Sequence, residues 1–193
     1  RKFLWTTGVA GIGLATSARS LAQAPAVSPN SKLRVLSIGV VGTIGAEDRH
    51  QIAAHPSVEI AGLCDVDSTT LAKASAEHPG AFTCADYREA FSKYGDKFDA
   101  VIVSTPDHSH APIMLTALAN NKHVYGQKPL VHQLEELVMM EKAIAARPHL
   151  VTQIGNQRMA FPGRRAAVEI LRSGVLGKAV AAHVWVNSPN DRT

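Results

Sequence analysis

The chain has 193 residues, 46% of them apolar and 19% charged, with a formal net charge of +4. That size and balance imply a globular body holding one full domain plus a leader or the start of a second. No basic stripe interleaved with aromatic residues occurs, so no nucleic-acid partner is expected. The two cysteines, Cys64 and Cys84, are too few for a disulfide framework.

Residues 1–24 read as an export leader. Arg1-Lys2 precedes a short apolar, glycine-rich run to Ala15, and small residues follow at Ala22 and Ala24. The run is too short and too rich in glycine for a stable membrane span. Arg1-x-Phe3-Leu4 resembles the second half of a twin-arginine signal, which exports folded proteins to the periplasm. An ordinary secretion signal or an uncleaved membrane anchor is the alternative. Residues 25–31 form a polar linker.

Leu33 to Ile38 is a short apolar run ending at Gly39, the pattern of a buried strand. A helix is predicted over Ala46 to Ala54, with Pro56 just past its end. A second strand spans Val58 to Cys64, with Cys64 read as a buried free thiol. Ser68 is placed as the cap of a helix running to Glu77, which Pro79-Gly80 breaks. A short strand (Ala81 to Cys84) and helix (Tyr87 to Ser92) come next. Phe98 to Ser104 is almost continuously apolar, as a strand covered on both faces must be. Pro112 fits the first turn of a helix to Ala119, followed by a strand at His123 to Tyr125. Gln133 to Ala146 carries Leu134, Leu137, Val138 and Ile144 on one helical face, and Val151 to Ile154 is a sixth strand.

Repeated β-α-β predicts an α/β fold, a doubly wound parallel sheet of Rossmann type over residues 32–157. From residue 158 the pattern changes. Gly163 to Arg172 reads as a helix closed by Gly174, and Val180 to Val186 alternates like a half-exposed antiparallel strand. Residues 158–193 are therefore read as the start of a second, α+β domain.

In such sheets ligands bind beyond the carboxyl ends of the strands. The polar sequences after Ile38, Cys64, Ser104, Tyr125 and Ile154 are expected to line one cleft. The first is Gly39-Val40-Val41-Gly42-Thr43-Ile44-Gly45, one residue longer than the G-x-G-x-x-G fingerprint. A glycine turn that opens a helix offers free N–H groups and a positive dipole end to phosphates, so Gly39, Gly42, Thr43, Ile44 and Gly45 are cofactor candidates. Glu47 and Asp48 should point away from those phosphates.

Asp65 ends the second strand, where a carboxylate accepts bonds from both hydroxyls of an adenine ribose. Asp67 adds negative charge, and no Lys or Arg follows until Lys73, which favours NAD over NADP. Thr105, Pro106, His108 and His110 follow the fourth strand and are placed near the nicotinamide ribose, with helix packing as the alternative for His110. No acidic or Cys cluster at ligand spacing accompanies these histidines, so no metal is expected. Gln127, Lys128 and Pro129 follow the fifth strand. A lysine at the end of a buried strand is costly unless used, so Lys128 is the catalytic candidate, stabilising or relaying charge at a substrate hydroxyl. Asn156, Gln157 and Arg158 supply amides and a cation at the cleft edge, the first two toward the cofactor and Arg158, with Lys128, toward substrate.

Three passages together, Ser104-Thr-Pro-Asp-His-Ser-His-Ala111, Ala117-Leu-Ala-Asn-Asn-Lys-His-Val124 and Gln127-Lys-Pro-Leu130, resemble the glucose–fructose oxidoreductase and inositol dehydrogenase (Gfo/Idh/MocA) family. The resemblance covers about Leu33 to Val186. It implies hydride transfer between NAD and a sugar or polyol, with Lys128 in the active site. The family's usual motif is Glu-Lys-Pro; Gln127 replaces the glutamate, and the glycine spacing also departs from the usual one. Arg158 and Ser173-Gly-Val-Leu-Gly-Lys178 resemble the start of the family's second domain. That domain is an open antiparallel sheet carrying the substrate pocket, and homo-oligomerisation through it is expected. An NAD-dependent glycosidase that oxidises its sugar transiently, or a non-catalytic nucleotide-binding module, are the competing readings.

Overall fold

The computed structural model describes residues 32–183 and residue 185. The leader and linker expected over residues 1–31 lie outside them, as do Val184 and Val186. The elements run β1 (Leu33–Ile38), α1 (Gly42–Ala53), β2 (Val58–Cys64), α2 (Ser68–Glu77), β3 (Phe82–Cys84), α3 (Tyr87–Tyr94), β4 (Ala100–Val103), α4 (His110–Ala119), β5 (His123–Gly126), α5 (Leu134–Ala145), β6 (Thr152–Ile154) and α6 (Pro162–Arg172).

The six strands form one sheet in the order β3-β2-β1-β4-β5-β6, and every pairing is parallel. The chain starts in the middle, builds outward to β3, then crosses back to add β4, β5 and β6 on the other side. The direction of winding reverses between β1 and β4, and the crevice for a ligand opens there.

Alternation along the strands sorts side chains onto two faces. Leu36, Ile38, Val101 and Val103 pack with Phe91, Met114, Leu118 and Met140 from α3, α4 and α5. Val35, Ile60, Leu63 and Ile102 look the other way and pack with Ala74, with Ile52 and Leu71 from α1 and α2 closing over them. Both faces are thus covered, which is why the strands read as unbroken apolar runs.

The amino-end rim of the sheet is fastened by cations. Arg34 forks onto Asp99, with Nη2 2.7 Å from Oδ1 and Nε 3.0 Å from Oδ2, while its Nη1 reaches the Asp96 carbonyl. Lys122 Nζ donates to the carbonyls of Gly95 and Phe98. The guanidinium holds the Asp99 carboxyl below its ordinary range.

Three local expectations change. Helix α1 starts at Gly42 rather than Ala46, so the glycines themselves form its first turn. Asp67, not Ser68, caps α2: its carboxylate accepts from the N–H groups of Thr69 and Thr70, which a serine one place later cannot reach. Residues 180–183 form no strand, and Val180 is 91% exposed. Alternating apolarity becomes a strand only beside a partner edge, and none of the six strands pairs with this segment.

Candidate functional site

The carboxyl-end rim is drawn together by backbone contacts that only glycine permits. Gly39 follows β1 with φ +81°, and a Cβ there would lie 2.6 Å from the Ser104 carbonyl at the tip of β4. Gly45, one turn into α1, would place a Cβ 2.5 Å from the Gly39 carbonyl, so its bare Cα lets α1 sit directly on the loop. Gly42 has φ +76° and open space around it. The extra residue of the G-x-x-G-x-x-G spacing is thus absorbed without losing the tight turn or the close helix–strand packing. No side chain caps α1 among the described residues, which leaves its first N–H groups facing the crevice. Ile44 is exposed on that turn.

Asp65 sits at the tip of β2 against this loop. Its Oδ2 accepts from Val40 N at 2.9 Å and its Oδ1 from Asp67 N at 3.0 Å. The carboxylate is held in place beside the glycines, where a ribose would lie next to its phosphates. Ser104 N donates to Ile38 O, Gln127 N to Val103 O and Gly155 N to Gly126 O. These bonds stack the tips of β1, β4, β5 and β6 in a row, and the predicted polar segments fall along one edge.

Beyond β4, Thr105 is half-buried and its Oγ1 is buried without a hydrogen-bond partner among the described residues. Pro106 and His108 are exposed on the short 3-10 turn that follows. His110 departs from its expected place. It is 1% exposed, with Nδ1 2.6 Å from the Pro129 carbonyl and Nε2 2.8 Å from the Thr105 carbonyl. The imidazole lies beneath the cleft and ties its β4 loop to its β5 loop, instead of presenting its edge to a cofactor.

Lys128 also differs from the expectation of a buried lysine. It is exposed at the mouth, so no burial cost singles it out. Its address does: it lies between the buried Gln127 and Pro129, whose carbonyl is 2.6 Å from His110 Nδ1. Gln127, by contrast, is 3% exposed, and a Cβ on Gly155 would run into its amide.

Asp48 was not singled out from the sequence as part of the site. Its Oδ2 accepts from Ser104 Oγ at 2.8 Å and Gln127 Nε2 at 2.7 Å, linking α1 to the tips of β4 and β5. Its spacing was the available signal: Asp48 lies three residues after Gly45 and so shares the face of α1 that touches the sheet. Asn156 and Gln157 are exposed after β6, where Met159 N donates to the Asn156 carbonyl. The Arg158 side chain lies outside the described ones.

These features suit a dinucleotide. The glycine turn offers backbone N–H groups, Asp65 offers a fixed acceptor, and the Thr105 hydroxyl is an orphaned polar atom at the crevice. Among the described residues no group of three or more His, Cys, Asp or Glu side chains is placed to hold a metal ion. None of the described helices is long and apolar enough to cross a membrane.

Comparison with known proteins agrees with this geometry. The chain is 30% identical over 153 residues to an inositol 2-dehydrogenase of Rubrobacter xylanophilus, covering 78% of this chain and 43% of that protein. It is also 30% identical over 161 residues to a glycosyl hydrolase family 109 protein of Shewanella, covering 70% of this chain and 34% of that protein. The crystal structure of myo-inositol 2-dehydrogenase from Lactobacillus plantarum superposes with a TM-score of 0.69 at 27% identity, covering 77% of this chain and 43% of that one. The chain spans less than half the length of these relatives. The profile of the oxidoreductase family with an NAD-binding Rossmann fold matches residues 33–155. The chain therefore belongs to the Gfo/Idh/MocA oxidoreductase family.

Proposed function

We propose that the intact protein is an NAD-dependent oxidoreductase that moves a hydride between nicotinamide and a hydroxyl-bearing carbon of a sugar or polyol. The observation that carries this reading is the row of strand tips where the glycine turn, Asp65, Thr105 and the Gln127-Lys128-Pro129 loop meet at the β1/β4 crevice. The inositol 2-dehydrogenase relatives supply the substrate class.

NAD, when bound, accepts or returns the hydride. The first turn of α1 would face its diphosphate, and Asp65 its adenine ribose. Asp65 and the Asp67 cap put two carboxylates at the tip of β2, which repel a 2′-phosphate and favour NAD over NADP. Lys128 would either donate a hydrogen bond from its ammonium to the substrate oxygen and stabilise the developing alkoxide, or, as the neutral amine, take the hydroxyl proton as the hydride leaves. Arg158 belongs to the same substrate edge. The remainder of the pocket falls to the second domain, whose sheet would also join protomers, and the leader-like residues 1–24 support export to the periplasm.

The test is a mass spectrum of nucleotide released from the intact protein, followed by nicotinamide absorbance during incubation with inositols and aldoses. Released NAD and Lys128-dependent turnover support the reading; a nucleotide-free protein that NAD does not protect against heat removes it. The family 109 relatives favour one alternative, a glycosidase that oxidises its sugar transiently and returns the hydride. Glycoside cleavage without net consumption of NAD separates the two.

A further inference from the structure

One carboxylate of the rim sits on a helix. Asp48 projects from α1 onto the tips of β4 and β5, where its Oδ2 accepts from both Ser104 Oγ and Gln127 Nε2. These bonds decide which way the buried Gln127 amide points. With Nε2 on the carboxylate, Oε1 is turned to the Lys128 backbone, 3.4 Å from its N. A flipped amide would set an oxygen against an oxygen that also only accepts, and Gly155 packs too closely for the side chain to leave. The charge on Asp48 also reaches β5: burial first, then this carboxylate, pushes the Tyr125 phenol above its ordinary range.

Where the motif reads Glu-Lys-Pro, the residue before the lysine carries the negative charge itself. Here residue 127 is neutral, and a negative charge stands one hydrogen bond away on α1. We propose that Asp48 is a positioning residue of the nucleotide site, and that the Asp48–Gln127 pair takes the place of a single glutamate. The helix holds the anion and the amide passes its orientation to the backbone beside Lys128. This inference rests on the nucleotide-binding reading above. It also makes the two positions interdependent. A glutamate at 127 would face Asp48 at hydrogen-bond distance, and two carboxylates so close cannot both ionise.

The experiment is a charge swap in the intact protein. NAD affinity is measured by calorimetry from about pH 5 to pH 8, with the thermal midpoint of each variant alongside. Q127E alone is expected to weaken NAD by about tenfold, within the range for directly coupled neighbours. Its affinity should also become pH-dependent, because the pair now shares a proton. D48N/Q127E returns the charge to residue 127 and gives the amide to residue 48. It is expected to recover affinity to within about threefold of the parent, with the flat pH profile restored. A merely structural contact would move the thermal midpoint and leave that profile alone. If Q127E fails to fold, a folded, NAD-binding double variant still supports the pairing, and an unfolded one overturns it. A parent that binds NAD while the double variant is no better than Q127E sinks this inference and leaves the proposed function standing. A parent that binds no NAD removes both.

Discussion

Replacing Gly39 by alanine should damage the protein more than any other single methyl added to the glycine turn. Two costs meet at that position. The backbone has φ +81°, a left-handed conformation that costs an L-residue about 1–2 kcal/mol. The new Cβ would also stand 2.6 Å from the Ser104 carbonyl and 2.9 Å from Thr105 N. Both are backbone atoms that cannot rotate away, and overpacking of this kind costs about 1–3 kcal/mol. The sum is about 2–5 kcal/mol, a large share of the roughly 5–15 kcal/mol that holds a domain of this size. Its neighbours separate the two costs. Gly42→Ala pays the backbone term alone, since nothing lies near its Cβ, and Gly45→Ala pays the contact term alone, 2.5 Å from the Gly39 carbonyl. Urea denaturation of the intact protein, with an NAD titration on each variant, reads these differences. G39A should lose the most stability and, by pushing the Ser104–Thr105 backbone outward, the most affinity. A G39A protein within about 1 kcal/mol of the parent, or less damaged than G42A, would show that the loop does not press on β4 as described.

Other outcomes follow from the same structure. Arg49, 3% exposed, and then His50 hold the Glu77 carboxyl down at about 2. A depressed carboxyl stabilises the fold above its ordinary 4.5 and loses that contribution as pH falls toward about 2. E77Q should flatten the thermal midpoint across that window, and because Glu77 is half exposed the effect is about 1 kcal/mol; an unchanged acid profile would contradict it. H110A removes the imidazole N–H that reaches the Thr105 or Pro129 carbonyl and leaves a void in the interior, and should cost about 3 kcal/mol in denaturant; a loss below about 1 kcal/mol would mean the clamp is idle. Cys64 and Cys84 face each other across β2 and β3, and the Cys84 thiol together with burial pushes the Cys64 thiol up. Both should resist a disulfide reagent in the native protein and react on unfolding; rapid native labelling would refute the packing. K128A should abolish turnover and leave the thermal midpoint unchanged, since its side chain is exposed.

The sheet was legible because its physics is local. Strands covered on both faces must be apolar throughout, and Val101-Ile102-Val103 and Leu63-Cys64 could be nothing else. Polar sequence after each apolar run then marked the tips, and the Asp65 position followed. What was not legible depends on direction. Sequence spacing places Asp48 on α1 but does not say that its carboxylate ends on Ser104 and Gln127. His110 reads equally well as a ligand-facing or a buried imidazole until two carbonyls are seen against it. The sequence places the start of α1 four residues late because glycines are poor helix formers in isolation, whereas here close packing of Gly45 on Gly39 draws them into the first turn. Lys128 lacks the burial that its position at the end of a buried strand implies, and its place beside Pro129 and Gln127 makes it the catalytic candidate.

The cationic fastening of the opposite rim divides the work of the sheet. Arg34 and Lys122 knot the chain at residues 95–99, while the crevice rim is joined by backbone contacts across glycines. Amide hydrogens at the knotted end should exchange with deuterium only through global opening, with or without nucleotide. Protection that responds to nucleotide should be confined to the glycine turn and the β4 and β5 loops, so that occupancy is sensed where the sheet opens and its foundation stays unaware.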